Sequence, residues 1–166
     1  IELLAVVIIL GILMVIAVPA VSQYIDGSRK SSYVSTAKRL AGGARNVVNS
    51  GKYDFTDPDT TYYMDTSCIY AENDFESPYA EFDNAYVAVT FNNDHYDYYW
   101  TSVDKAGVGF KGLTEIDKLD TDMIETNLTG NDVLPNVGVG DRGKIVTILG
   151  PGCTKSEPVD VDFSMD

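Results

Sequence analysis

Few residues in this chain are of types that do chemistry, and those few are spread out. His95 is the only histidine, next to Asp94 in a stretch that reads as a turn, and no GxSxG, HExxH or P-loop pattern occurs. The two cysteines, Cys68 and Cys153, are far apart and form no CxxC or CxxCH arrangement, so neither a zinc site nor an attached haem is indicated. An even pair fits one disulfide in an oxidising compartment, or two buried thiols in a reducing one. Asp54, Asp57 and Asp59, or Asp117, Asp120 and Asp122, offer oxygen ligands of the kind Ca²⁺ takes, but neither group has EF-hand spacing. Asn127 to Thr129 matches an N-glycosylation sequon. Catalysis and resident cofactors are therefore not expected. The most unusual chemical group is Glu2, a carboxylate at the edge of a long apolar run, where a charge is costly unless it is paired or close to an interface.

Charge divides the chain. Through Lys52 there are six basic residues and two acidic ones, net +4; from Tyr53 onward six basic residues face 23 acidic ones, net −17. So acidic a second part repels phosphate backbones and argues against nucleic acid as its partner.

The element that carries Glu2 runs from Leu3 to Val21, LLAVVIILGILMVIAVPAV, without a charged or hydrogen-bonding side chain. At about 1.5 Å per residue it is about 28 Å of helix, close to the hydrocarbon thickness of a bilayer. It is longer than the apolar region of a signal peptide, and no basic residue precedes it. Past Val21 the pattern becomes one-sided: Tyr33, Ala37, Leu40, Ala44 and Val47 recur at helical steps, while Arg29, Lys30, Lys38, Arg39 and Arg45 take other positions. One helix over 1–52 is predicted, with 1–22 apolar all round and 23–52 amphipathic. Pro19 lacks an amide hydrogen and crowds the carbonyl of Val15, so the region from Gly11 to Pro19 is expected either to kink or melt, or to continue as a mildly bent helix. A helix this long cannot be enclosed by the roughly 115 residues that remain. Its first half must be covered by lipid or by copies of itself.

The stretch IELLAVVIILGILMVIAVPAVSQY resembles the N-terminal signature of type IV pilins and pseudopilins, with Glu2, Gly11, Pro19 and Tyr24 at the family's spacing. The resemblance covers about two dozen residues. It implies a subunit stored in the cell membrane as a single-pass protein, released from a basic leader by a prepilin peptidase that methylates the new terminus, and polymerised by the pilus machinery into an extracellular filament for adhesion, twitching motility or surface interaction. The sequence would begin about three residues inside that mature terminus. For Glu2 the resemblance implies pairing with the N-terminal ammonium of a neighbouring subunit. Basic residues after the span would put the C-terminal side in the cytoplasm by the positive-inside rule, whereas the family orientation puts it outside. The alternatives are a minor pilin or pseudopilin of a secretion or DNA-uptake system, and a monomeric membrane-tethered binding module that has no need of Glu2. In a filament, basic residues of the helix would meet acidic residues of neighbouring heads.

Residues 53–166 are expected to form the head. Tyr53 to Tyr79 reads as a long loop with short strands near Tyr62 and Cys68. Ala85 to Phe91 and Tyr96 to Val103 read as strands joined by a hairpin at Asn92 to His95, with a third strand at Val108 to Lys111. Thr114 opens a short helix through Met123, and Gly143 to Leu149 is a last strand before the Gly150–Pro151–Gly152 break, Cys153 and an acidic tail. The predicted fold is α+β, an antiparallel sheet covered by the one-sided half of the long helix.

Overall fold

The computed structural model describes residues 1–58, 60–73, 82–133, 145–149, 153 and 159–160, with the side chains of 82, 83, 131, 145–149, 159 and 160 left aside. Helix α1 spans Glu2–Asn49 without interruption, about 70 Å of rod. From Tyr33 on it is buried in pairs (Tyr33 and Val34, Thr36 and Ala37, Leu40 and Ala41, Gly43 and Ala44, Val47 and Val48), steps of three and four that keep one stripe facing the sheet. Small residues dominate that stripe, which lets the sheet come close. The helix ends where Ser50 closes on Asn46 and Gly51, at φ +70, supplies the left-handed residue that a helix C-terminus favours.

The sheet is built from β1 (Thr60–Asp65), β2 (Phe82–Asn92), β3 (His95–Asp104), β4 (Gly109–Glu115), β5 (Ile145–Leu149) and β6 (Val159–Asp160), in the order β4-β3-β2-β1-β5-β6. Strands β1 to β4 form the antiparallel sheet expected over the helix, and the fold is α+β. Strand β5 falls within the expected last strand, but it joins parallel to β1, where an antiparallel sheet was expected. The β2–β3 hairpin turns at Asn93 and Asp94, both at positive φ (48° and 63°), as a two-residue turn requires.

Two local expectations differ from the structure. Cys68 lies not in a strand but in helix α2, Thr66–Asn73. The Asp65 carboxylate accepts from the Ser67 amide (2.8 Å) and hydroxyl (2.6 Å) and so starts a helix where β-rich composition suggested a strand. The helix expected from Thr114 to Met123 is also absent. Strand β4 runs on to Glu115, and two single 3₁₀ turns follow, Ile116–Lys118 and Thr121–Met123. Leu119 is extended (φ −61, ψ 123), and Asp120 turns its carboxylate onto the Thr121 amide (2.6 Å), so a side chain takes the donor that a continuing helix would need. Residues 74–79 of the expected loop, Gly143 and Lys144 of the expected last strand, the 150–152 break and most of the acidic tail lie outside the described residues.

Helix and sheet bury Tyr62, Met64, Ala85, Val87, Val89, Trp100 and Phe110 between them. Within this apolar layer sits one polar knot: the Trp100 indole N–H donates to Ser102 Oγ (2.9 Å), which is hydrogen-bonded to the Tyr33 hydroxyl (2.6 Å). The knot fixes where along α1 the sheet sits, because a shift of one residue would leave buried polar groups without partners. Gly109 meets the same place from β4; a Cβ there would collide with the Ser102 carbonyl. The far face of the sheet carries a second cluster of Tyr63, Tyr86 and Ala88, with Tyr99 and Leu113 against it. Burial pushes the Tyr63 phenol up to about 12 and raises Tyr62, Tyr86 and Tyr98 as well.

Ser102→Ala takes a hydrogen-bond partner from both the buried Trp100 indole and the Tyr33 hydroxyl and is expected to cost roughly 2 kcal/mol in denaturant unfolding of the detergent-held chain, against about 1 kcal/mol for Tyr33→Phe. Alkali acts in a known direction: above pH 10 unfolded tyrosine loses its proton while folded Tyr63 keeps it, so stability falls from about pH 10 to 12. For Tyr63 alone the loss approaches about 2–3 kcal/mol. Unfolding curves of wild type and Tyr63→Phe over that range check it, and the variant has the flatter profile.

Candidate functional site

Along α1 the four residues singled out in the sequence are strung out rather than gathered. Glu2 is in the first turn, Gly11 and Pro19 follow within the apolar run, and Tyr24 closes it. From Glu2 to Tyr24 is about 33 Å of helix. The first turn of a helix presents unpaired amides and the positive end of the helix dipole, which favours a carboxylate such as Glu2. At Gly11 a Cβ would meet nothing within 4 Å, so no contact within this chain requires glycine there. Pro19 is accommodated inside the helix; the Val15 carbonyl loses its usual partner, since proline has no amide hydrogen to donate. Tyr24 is 78% exposed.

The dominant property of this segment is its exposure. Seventeen large apolar or aromatic side chains from Ile1 to Ile25, all but Ile1 on α1, are at least 45% exposed, and the most apolar 18-residue window has a mean hydropathy of 3.1 with none of it buried. By length and composition the helix can cross a membrane.

Where α1 meets the head its charges lie off the buried stripe. Lys38, Arg39 and Arg45 are exposed, with the Arg45 guanidinium 5.2 Å from the centre of the Tyr98 ring. Asp26 and Lys30 pair one turn apart at 3.4 Å. At the top of the head Lys52 holds Glu72 at 2.8 Å, which raises the lysine and lowers the carboxyl, each through that hydrogen bond first.

Cys68 and Cys153 are joined in a disulfide with their Cα atoms 4.7 Å apart. They come together through the sheet. Met64 of β1 is level with Leu149 of β5, and each cysteine follows four residues later. His95, expected in the hairpin turn, is the first residue of β3, paired with Asn92, its ring within 3.4 Å of the Asn93 carbonyl and of Asp97. Among the described residues no three His, Cys, Asp or Glu side chains converge on a metal position. Asp54 is turned onto Thr56 and Asp120 onto Thr121, while Asp59 lies outside the described residues. Asn127 is exposed at φ 59.

The polar knot at Ser102 and the stacking of Arg45 on Tyr98 were not foreseen. The only signal for the knot was the WTS order within β3, which puts Trp100 and Ser102 on one face. Comparison with protein-family models, with curated proteins and with solved structures finds no match. The likeness to pilin-like proteins is therefore one of fold: a long N-terminal apolar helix laid by its second half against a small antiparallel sheet.

In the chain-entropy account, a disulfide closing a loop of this length stabilises the fold by about 4–5 kcal/mol. The Cys68→Ser/Cys153→Ser double variant is expected to lose roughly that much, read as a lowered denaturant midpoint together with a steeper slope, because the unlinked chain unfolds to a more expanded state.

Proposed function

We propose that the chain is a structural subunit of a type IV pilus, held in the membrane by the first half of α1 and polymerised through the same surface into an extracellular filament, and that it has no catalytic role. One observation carries this reading: the uncovered apolar half of α1. Burying a large apolar side chain is worth about 1.5–3 kcal/mol, so seventeen exposed ones represent tens of kcal/mol, more than the roughly 5–15 kcal/mol that holds a typical domain folded. A surface of that cost is covered in every stable state. Lipid covers it before assembly and neighbouring copies cover it afterwards.

Glu2 separates a filament subunit from a plain anchor. A carboxylate in an apolar helix bundle contributes little net stability when paired, but an unpaired one is strongly penalised, so pairing with the N-terminal ammonium of the next subunit would fix register. Side-by-side packing of such helices with all heads at one end is heterologous and does not close, which gives an open helical polymer. The prepilin peptidase and the pilus machinery are the partners this reading requires.

Glu2→Ala is expected to leave the head folded and the chain in the membrane while abolishing filaments, seen by electron microscopy of material sheared from cells. Wild-type numbers of filaments from that variant would remove the register role.

A further inference from the structure

The back of α1, opposite the sheet, has an unusual composition for a surface open to water. At 3.6 residues per turn its midline passes through Ser35 and Gly42, with Lys38 and Arg39 about 50° to either side and Ser28, Ser31 and Arg45 nearby. No acidic residue occurs on α1 beyond Asp26, so every charge on this back face is positive. Lys38 is exposed and makes no ion pair among the described residues.

The complementary surface is an acidic strap that packs on α1 beside this face, where Asp117 lines one concavity with Arg45. After β4 the strap Ile116–Glu125 runs along the edge of the head, pinned by buried Ile116 and Leu119. Its charged residues face outward: Asp117, Asp120, Asp122 and Glu125 are exposed, and the sole cation, Lys118, is taken by Glu115 at 2.9 Å. Among the described residues Asp117, Asp122 and Glu125 are paired with no cation. The strap and the back of α1 are neighbouring exposed surfaces of opposite sign, and within one copy Lys38 and the strap form no ion pair among the described residues.

We propose that the acidic strap of one copy docks on the cationic back of α1 in a second copy, with Lys38 against Asp117, Asp122 or Glu125, and with Ser35 and Gly42 allowing close approach. This rests on the filament reading and names the contact between heads within it. An edge meeting a back is a heterologous contact, so it propagates rather than closes. Anionic lipid is the competing occupant, and distance argues against it. Lys38 is 17 residues past Val21, about 25 Å of helix, whereas a headgroup layer is only about 5–8 Å thick and the field beyond it decays over about 8–10 Å.

The test is carbodiimide cross-linking of filaments sheared from cells, followed by mass spectrometry of the covalent dimer. The expected dimer joins Lys38 to a strap carboxylate and disappears in Lys38→Gln. Lys38→Glu is expected to reduce filament yield about tenfold by setting like charges together, and Lys38→Glu with Asp122→Lys to restore it. Filaments with unchanged yield in Lys38→Glu and dimers bridged only elsewhere would overturn the contact while leaving the filament reading intact. Loss of Lys38→Glu chains from the membrane fraction before assembly would assign Lys38 to lipid and also overturn it. Wild-type cells without filaments would overturn the filament reading itself, and this contact with it.

Discussion

A mismatch of length governs this molecule. Helix α1 is 48 residues long, and the sheet can cover only the stretch from Tyr33 to Val48. Everything before Tyr33 lies beyond the reach of the head. The covered and uncovered parts differ in chemistry as well: small and branched residues alternate with charge where the sheet lies, and unbroken aliphatic residues occupy the part that extends past it. The chain thus contains one surface satisfied by its own fold and another that only an external environment satisfies. The part that the head covers and the part that it leaves bare lie on the same helix, in successive segments.

The joint between them is the knot of Tyr33, Trp100 and Ser102. Apolar packing alone has little preference between neighbouring positions along a stripe of alanines. Hydrogen bonds of 2.6 and 2.9 Å among buried groups impose one. Tyr33 is also the first buried residue of α1, so the same side chain marks where the head begins and sets how far the apolar segment projects from it.

Much of this was legible in the sequence, and what was legible depended on short-range patterns. The run from Leu3 to Val21, the three-and-four spacing after Tyr33 and the paired strands around Asn93 and Asp94 each declare themselves within a window of a few residues. The parallel pairing of β5 with β1 depends on a crossover of some eighty residues, about which local periodicity carries no information. Asp65 and Asp120 show a subtler limit. Each uses a side chain as a substitute for a backbone partner, one to start a helix and the other to interrupt one, and the residue type is the same in both. For the site, Glu2, Gly11 and Pro19 stood out by their own chemistry, whereas Tyr24 and the grouping of the four came only through a family resemblance. The outward charges of the strap acquired meaning only once the strap was placed at the edge of the head.

The disulfide has a topological consequence. Cys68 and Cys153 lie just past the level ends of two parallel strands, so the chain between them forms a covalent ring that contains the hairpin, β4 and the strap. A single protease cut anywhere in that ring opens it without releasing either piece. After a cut between Cys68 and β5, the fragment bearing α1 and β1 stays bonded to the fragment bearing β5, and the two remain side by side in the sheet. A nicked chain would keep its outline, and its damage would show on a gel only after reduction.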